Sequence, residues 1–173
     1  LRRGYPGVAY GAPESALQSG IPPDWGPGDY EQWLTVIRET APQIHVHAYS
    51  PMELAHMCDV SGLHPRAVLR RLRAAGLDST PGTAAEVLDD GVRERISPNK
   101  LPVARWVEMI EAAHDEGITS KVTVMFGHIE NPWERAGNMS YGLDLQNRPR
   151  RDTDSGRGAI LPFHKLTRPN PRH

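Results

Sequence analysis

The sequence predicts an α/β fold built on a parallel sheet, and three observations carry that expectation. Short β-rich runs alternate with amphipathic stretches of about 10 to 15 residues, the spacing of right-handed βαβ units. The run Thr119 to Phe126 is rich in β-branched residues and has the length of a buried strand. Polar turns also follow the predicted strands, and two of them carry a capped helix start; the carboxyl ends of strands are where α/β folds keep their sites.

Residues 1–13 are rich in Gly, Pro and Tyr, lack a helical period and read as an irregular N-terminal segment. Glu14 to Gln18 is a short predicted strand, followed by a loop full of breakers, Pro22 to Gly28. Asp29 is the expected cap of a helix whose buried face is Tyr30, Trp33, Leu34 and Ile37. Gln43 to Ala48 is the next strand. Its alternation puts His45 and His47 on one face and Ile44, Val46 and Ala48 on the other. Ser50, Pro51 and Glu53 then form a capping box, with proline at the first helical position.

Gly62 is expected to end that helix. A second one starts near Pro65 with Val68, Leu69, Leu72 and Ala75 buried, its arginines solvated, and Gly76 at its end. Leu77 to Thr80 is a predicted strand running into the turn Pro81 to Glu86. Asp89 to Ile96 reads as a short charged helix, and Val103 to Ala113 as a strongly amphipathic one ending near Gly117. After the Thr119 strand, Gly127-His128-Ile129-Glu130 is a polar turn and Asn131 caps a further helix. From about Gly137 the pattern dissolves, and residues 138–173 are expected to be a disordered tail, with only Ala159 to Phe163 resembling a strand.

The 173 residues carry a formal net charge of −1, so nothing global points to a nucleic acid or a membrane surface. There is no transmembrane-length apolar run and no signal-peptide core, and the expected location is cytoplasmic. The single cysteine, Cys58, excludes a thiolate-only metal or iron–sulfur site made by these residues alone. The chain starts with leucine and is read as an internal fragment.

His45 and His47 have three readings on residue types alone. They are paired ligands of a zinc-type site, hydrogen-bonding groups for a substrate or cofactor, or interior histidines that hold neighbouring loops. The metal reading needs further ligands at other strand ends, where His128 is the one candidate. Glu53 and Glu86 each follow a strand end, where a carboxylate can hold an amino group, a ribose hydroxyl or a proton. The capping box already accounts for Glu53. Gly82 supplies a turn conformation or a close backbone approach to a ligand. Cys58, on an apolar helix face, reads as a buried structural thiol.

Three motifs together resemble the core of FO synthase, specifically its tyrosine-using second subunit or half, a radical S-adenosylmethionine enzyme of deazaflavin biosynthesis. They are Ile44-His45-Val46-His47-Ala48-Tyr49-Ser50-Pro51-Met52-Glu53, Ala75-Gly76-Leu77-Asp78-Ser79-Thr80-Pro81-Gly82-Thr83-Ala84-Ala85-Glu86 and Val124-Met125-Phe126-Gly127-His128-Ile129-Glu130. The resemblance covers roughly Ala16 to Gly137. The futalosine-route radical enzymes of menaquinone synthesis, dehypoxanthine futalosine cyclase and aminofutalosine synthase, share the paired-histidine strand; the Pro81 to Glu86 turn favours FO synthase.

The resemblance implies an incomplete TIM-type barrel of parallel strands over residues 14–137. It also implies S-adenosylmethionine and a 4Fe-4S cluster held by three cysteines, and transfer of the 4-hydroxybenzyl unit of tyrosine to 5-amino-6-ribitylaminouracil, with the companion FO synthase subunit or half as a partner. By the same resemblance Gln18, Ser19, Gly20, Ser50 and Glu86 are expected to contact cofactor, and His45, His47 and His128 substrate. Ser19 stands where the family has glycine. The C-x-x-x-C-x-x-C loop is absent, so these residues by themselves are not expected to perform the reaction. A metal-dependent barrel hydrolase and a non-enzymatic remnant with an open sheet edge are the alternatives.

Overall fold

The computed structural model describes residues 11–83, 86–127 and 129–148, and the backbone of 160–166. The elements are β1 (Glu14–Leu17), α1 (Pro27–Thr40), β2 (His45–Ala48), α2 (Pro51–Ser61), α3 (Pro65–Ala75), β3 (Ser79–Thr80), α4 (Asp90–Ile96), α5 (Val103–Asp115), β4 (Thr119–Phe126), α6 (Pro132–Asn147) and β5 (Ile160–Leu166). All five strands are parallel and lie in chain order, β1-β2-β3-β4-β5. A sheet wound in one direction by connections of one hand carries its helices on one face. Among the described residues the sheet does not close: β1 and β5 are its edges. A closed TIM-type barrel takes about eight strands, so the expected incomplete barrel is observed as an open parallel sheet.

The covered face is apolar. Val46 and Ala48 pack with Tyr30, Leu34 and Ile37 of α1, Leu54 and Met57 of α2, and Val68, Leu69 and Leu72 of α3. Val122 and Val124 of β4 form a second cluster with Trp106, Val107 and Ile110 of α5 and Leu145 of α6.

Local signals set most element ends. Ser50 and Asn131 cap α2 and α6 with reciprocal capping boxes, and Gly62 and Gly76 take the left-handed conformation that ends α2 and α3. Asp29 does not cap α1. The helix begins two residues earlier at Pro27, whose fixed φ and missing N–H suit the first position, and Asp29 accepts the Gly26 N–H from position N3 at 2.9 Å. β2 starts at His45 instead of Gln43, and β3 is two residues long. The expected break near Gly137 is also corrected. Asn138, Gly142 and Leu145 are buried, so α6 continues to Asn147. Residues 160–166 form a strand alongside β4; the rest of the expected tail, 149–159 and 167–173, lies outside the described residues.

The arginines of α3 are not merely solvated. Arg66 and Arg70 donate to the Glu116 carboxylate at 2.8 to 3.2 Å, and Arg73 donates to the Glu116 carbonyl, tying α3 to the turn between α5 and β4. Burial alone would push the Glu116 carboxyl up, but the hydrogen bonds and charges of Arg70 and Arg66 outweigh it and hold it below its ordinary value. A lowered carboxyl contributes stability above the unfolded value of 4.5 that is lost as pH falls through the folded one. The urea midpoints of the wild-type chain and Glu116→Gln should therefore differ at neutral pH and converge in acid; a gap independent of pH would contradict this assignment.

Candidate functional site

The sheet face turned away from the helices is polar. Register places Glu14 beside His45, His47 between Ala16 and Ser79, and Ser79 beside Thr119. Lys121 follows two residues after Thr119 and shares its face. Alternation thus sends Val46, Ala48, Val122 and Val124, together with the buried hydroxyls of Ser15, Thr80 and Ser120, to the helices and this polar set to the other side.

Ser79 is the hub. Its hydroxyl lies 2.7 Å from His45 Nε2 and 2.7 Å from His47 Nδ1, so one side chain of β3 fixes both imidazoles of β2. The two rings do face the same way, as strand alternation predicts. His47 is 7% exposed, and burial, followed by the charge of Lys121, lowers its pKa, so the ring is neutral at pH 7. His45 is more open. Its Nδ1 is 3.9 Å from Asp78 and its Nε2 4.0 Å from Glu14, and Glu14 in turn pairs with Lys121 at 3.5 Å. Glu14, His45, Ser79 and Lys121 line, with Thr119 and Ser120, a cavity of about 190 Å³. It offers donors and acceptors of both charges to a small polar ligand.

Asp78 is itself fixed. It accepts the Val46 N–H at 2.7 Å and pairs with Arg38, whose guanidinium also binds the carbonyls of Pro42, Ile44 and Gly76. This clamp holds the entries of β2 and β3 in register and thereby sets the position of both histidines.

The second group lies at the carboxyl ends of β1 and β2. Ser19 and Ser50 both hydrogen-bond to Glu53, which is buried. Gln18 and Gly20 flank Ser19 and are exposed, and a side chain at Gly20 would meet nothing within 4 Å, leaving that backbone open to approach. Glu86 is not brought to the histidines. Its carbonyl accepts from Asn138 of α6 at 3.0 Å, and its charge acts on Arg93 of α4. His128 lies outside the described residues. Among those described, no group of three His, Cys, Asp or Glu is arranged to hold a metal, and His45 and His47 converge on a hydroxyl.

Cys58 is 4% exposed on α2, and burial pushes its thiol up to about 11. It is a structural thiol, as its place on an apolar helix face predicts. Gly82 also has a structural explanation: its backbone lies directly on that of Lys121, where a Cβ would fall 1.4 Å from the carbonyl oxygen. The sequence offered a turn conformation or a close approach to a ligand; the close approach observed is to the backbone of β4.

Sequence reasoning missed Ser79, Lys121, Glu14 and the Arg38–Asp78 clamp. The available signal was alternation: Thr119, Lys121 and Thr123 interleave with Val122 and Val124, marking β4 as a strand with one polar face.

No protein-family model matches the chain. Individual proteins do. The 5-amino-6-(D-ribitylamino)uracil--L-tyrosine 4-hydroxyphenyl transferase 1 of Methanosarcina mazei is 44% identical over 135 residues, 78% of this chain and 36% of that protein. The corresponding transferase of Archaeoglobus fulgidus is 44% identical over 131 residues, 76% of this chain and 38% of that protein. FO synthase of Mycobacterium tuberculosis is 41% identical over 138 residues, 80% of this chain and 16% of that protein. The chain is homologous to FO synthase. It spans little more than a third of the single transferases and a sixth of the longer FO synthases, so the aligned part is one segment of those enzymes. These three relatives carry FO synthase and tyrosine transferase names.

Proposed function

We propose that the chain supplies the substrate-facing strands of a radical S-adenosylmethionine transferase that joins a unit of tyrosine to 5-amino-6-ribitylaminouracil. The observation that supports this best is the pairing of 41–44% identity with a polar sheet face centred on His45, His47 and Ser79. A phenol, an amino acid and a ribityl-aminouracil are all dense in hydrogen-bonding groups, and a neutral, fixed imidazole such as His47 can accept from or donate to any of them. By resemblance Gln18, Ser19, Gly20, Ser50 and Glu86 are proposed to lie against S-adenosylmethionine, and His128 to join His45 and His47 against the substrate. The hydroxyls and N–H groups of Ser19 and Ser50 are committed to Glu53, so the open Gly20 backbone and the Gln18 side chain are left for the cofactor.

The residues present do not fit the iron–sulfur cluster. The one cysteine is buried in α2 and its thiol is held protonated, so a three-thiolate cluster takes its ligands from outside these 173 residues. The contribution of this chain is binding and orientation.

The test is a titration of the ¹⁵N-labelled chain with tyrosine, then 5-amino-6-ribitylaminouracil, then S-adenosylmethionine. The substrates should move the His45 and His47 imidazole signals, and the cofactor the Gln18 to Gly20 amides. Stoichiometric zinc bound through His45 and His47, or substrates that leave both rings undisturbed, would overturn the proposal.

A further inference from the structure

A capping box needs one carboxylate oxygen, and Glu53 uses both. Its Oε2 accepts from the Ser50 N–H at 2.7 Å and the Ser50 hydroxyl at 2.6 Å, closing the box at the start of α2. Its Oε1 turns the other way. There it accepts from the Ser19 N–H at 3.1 Å and the Ser19 hydroxyl at 2.6 Å, 34 residues earlier in the turn that leaves β1. The residue is 3% exposed. A helix cap requires neither this burial nor a second set of donors, and four donors are what a buried carboxylate needs.

The backbone around it is shaped for the same contact. Tyr49, between the histidine strand and Ser50, has φ +61°, a left-handed conformation that a bulky side chain rarely takes. Its hydroxyl donates to the Tyr30 carbonyl at 2.7 Å, its carbonyl accepts from Thr80, and its ring meets Tyr30 edge to face. The strained turn swings Ser50 out of the strand direction and onto Glu53.

We propose that Glu53 is a positioning residue that locks the exit turn of β1 to the exit turn of β2, so that the two loops present one preformed edge to the ligand. The identity of that ligand as S-adenosylmethionine rests on the function proposed above; the lock itself does not. Ser19 takes part with its hydroxyl, a contact glycine at that position could not make.

Glu53→Gln separates this role from capping, because glutamine serves equally well as the third residue of a capping box but cannot offer two acceptor oxygens. Amide hydrogen exchange of the variant should show Ser19 exchanging at least roughly tenfold faster while the first turn of α2 keeps its protection. Calorimetry with S-adenosylmethionine should show a roughly tenfold loss of affinity. Unchanged exchange at Ser19 would reduce Glu53 to a helix cap and overturn the inference. Ser19→Ala removes one of the two donors without touching α2. It should give a smaller change at position 19, and it serves the same purpose if Glu53→Gln folds poorly. A wild-type chain that does not bind S-adenosylmethionine, yet shows the exchange response, would remove the proposed cofactor and leave the lock standing.

Discussion

Gly82→Ala is expected to destabilise the fold by about 3 kcal/mol or more, because the new methyl group cannot be accommodated by rotating a side chain. Its Cβ would sit 1.4 Å from the Lys121 carbonyl oxygen and 3.0 Å from the Val122 Cα, so the backbone of β4 or of the loop after β3 must move. β4 is the longest strand and pairs with both β3 and β5. Displacing it disturbs the sheet on both sides. For a domain of this size the loss corresponds to a fall in Tm of roughly 6 to 12 °C, measurable by calorimetry. A variant that melts with the wild type would show that the loop does not lie on β4. The same displacement would carry Lys121 away from Glu14, so the cavity on the polar face should change shape along with the stability.

Ser79→Ala is expected to have the largest effect on the site. The hydroxyl is 2.7 Å from a ring nitrogen of each histidine, and its removal leaves His47 Nδ1, within a nearly buried ring, without its partner. An unpaired buried polar group costs about 1–3 kcal/mol, so the chain should lose stability of that order. Both rings also lose the contact that fixes their rotation. Affinity for tyrosine or the aminouracil should fall by about tenfold or more, since about 1.4 kcal/mol is a factor of ten. Ser79→Thr keeps the hydroxyl and should restore most of both. Imidazole ¹⁵N shifts provide the direct reading: His45 and His47 should change together in Ser79→Ala. A change confined to one ring would mean that the shared hydroxyl does not couple them.

The contrast between Glu53 and Cys58 shows how far local reasoning reaches. Cys58 is read correctly from sequence because burial on an apolar helix face is a periodic property, visible within two turns. Glu53 is read only in part. Its capping role spans three residues and is legible, whereas its contact with Ser19 spans 34 and depends on how β1 and β2 pair. The α3 arginines fail for the same reason: helical spacing marks them as polar, but their convergence on Glu116 is fixed by the packing of α3 against α5.

The sequence by itself determined the parallel α/β class, the identity and order of four strands, the caps at Ser50 and Asn131, the shared face of His45 and His47, and the homology carried by their motifs. Each of these follows from interactions within a few residues: the two-residue repeat of a strand, the 3.6-residue repeat of a helix, and side chains that satisfy nearby backbone groups. Tertiary structure alone decided that Ser79 joins the two histidines, that Glu53 binds two loops, that Gly82 lies on β4 and that α6 runs on past Gly137. These depend on strand register and on surfaces brought together from distant parts of the chain. A shift of one residue in β3 would point Ser79 at the helices and leave the histidines without their common partner.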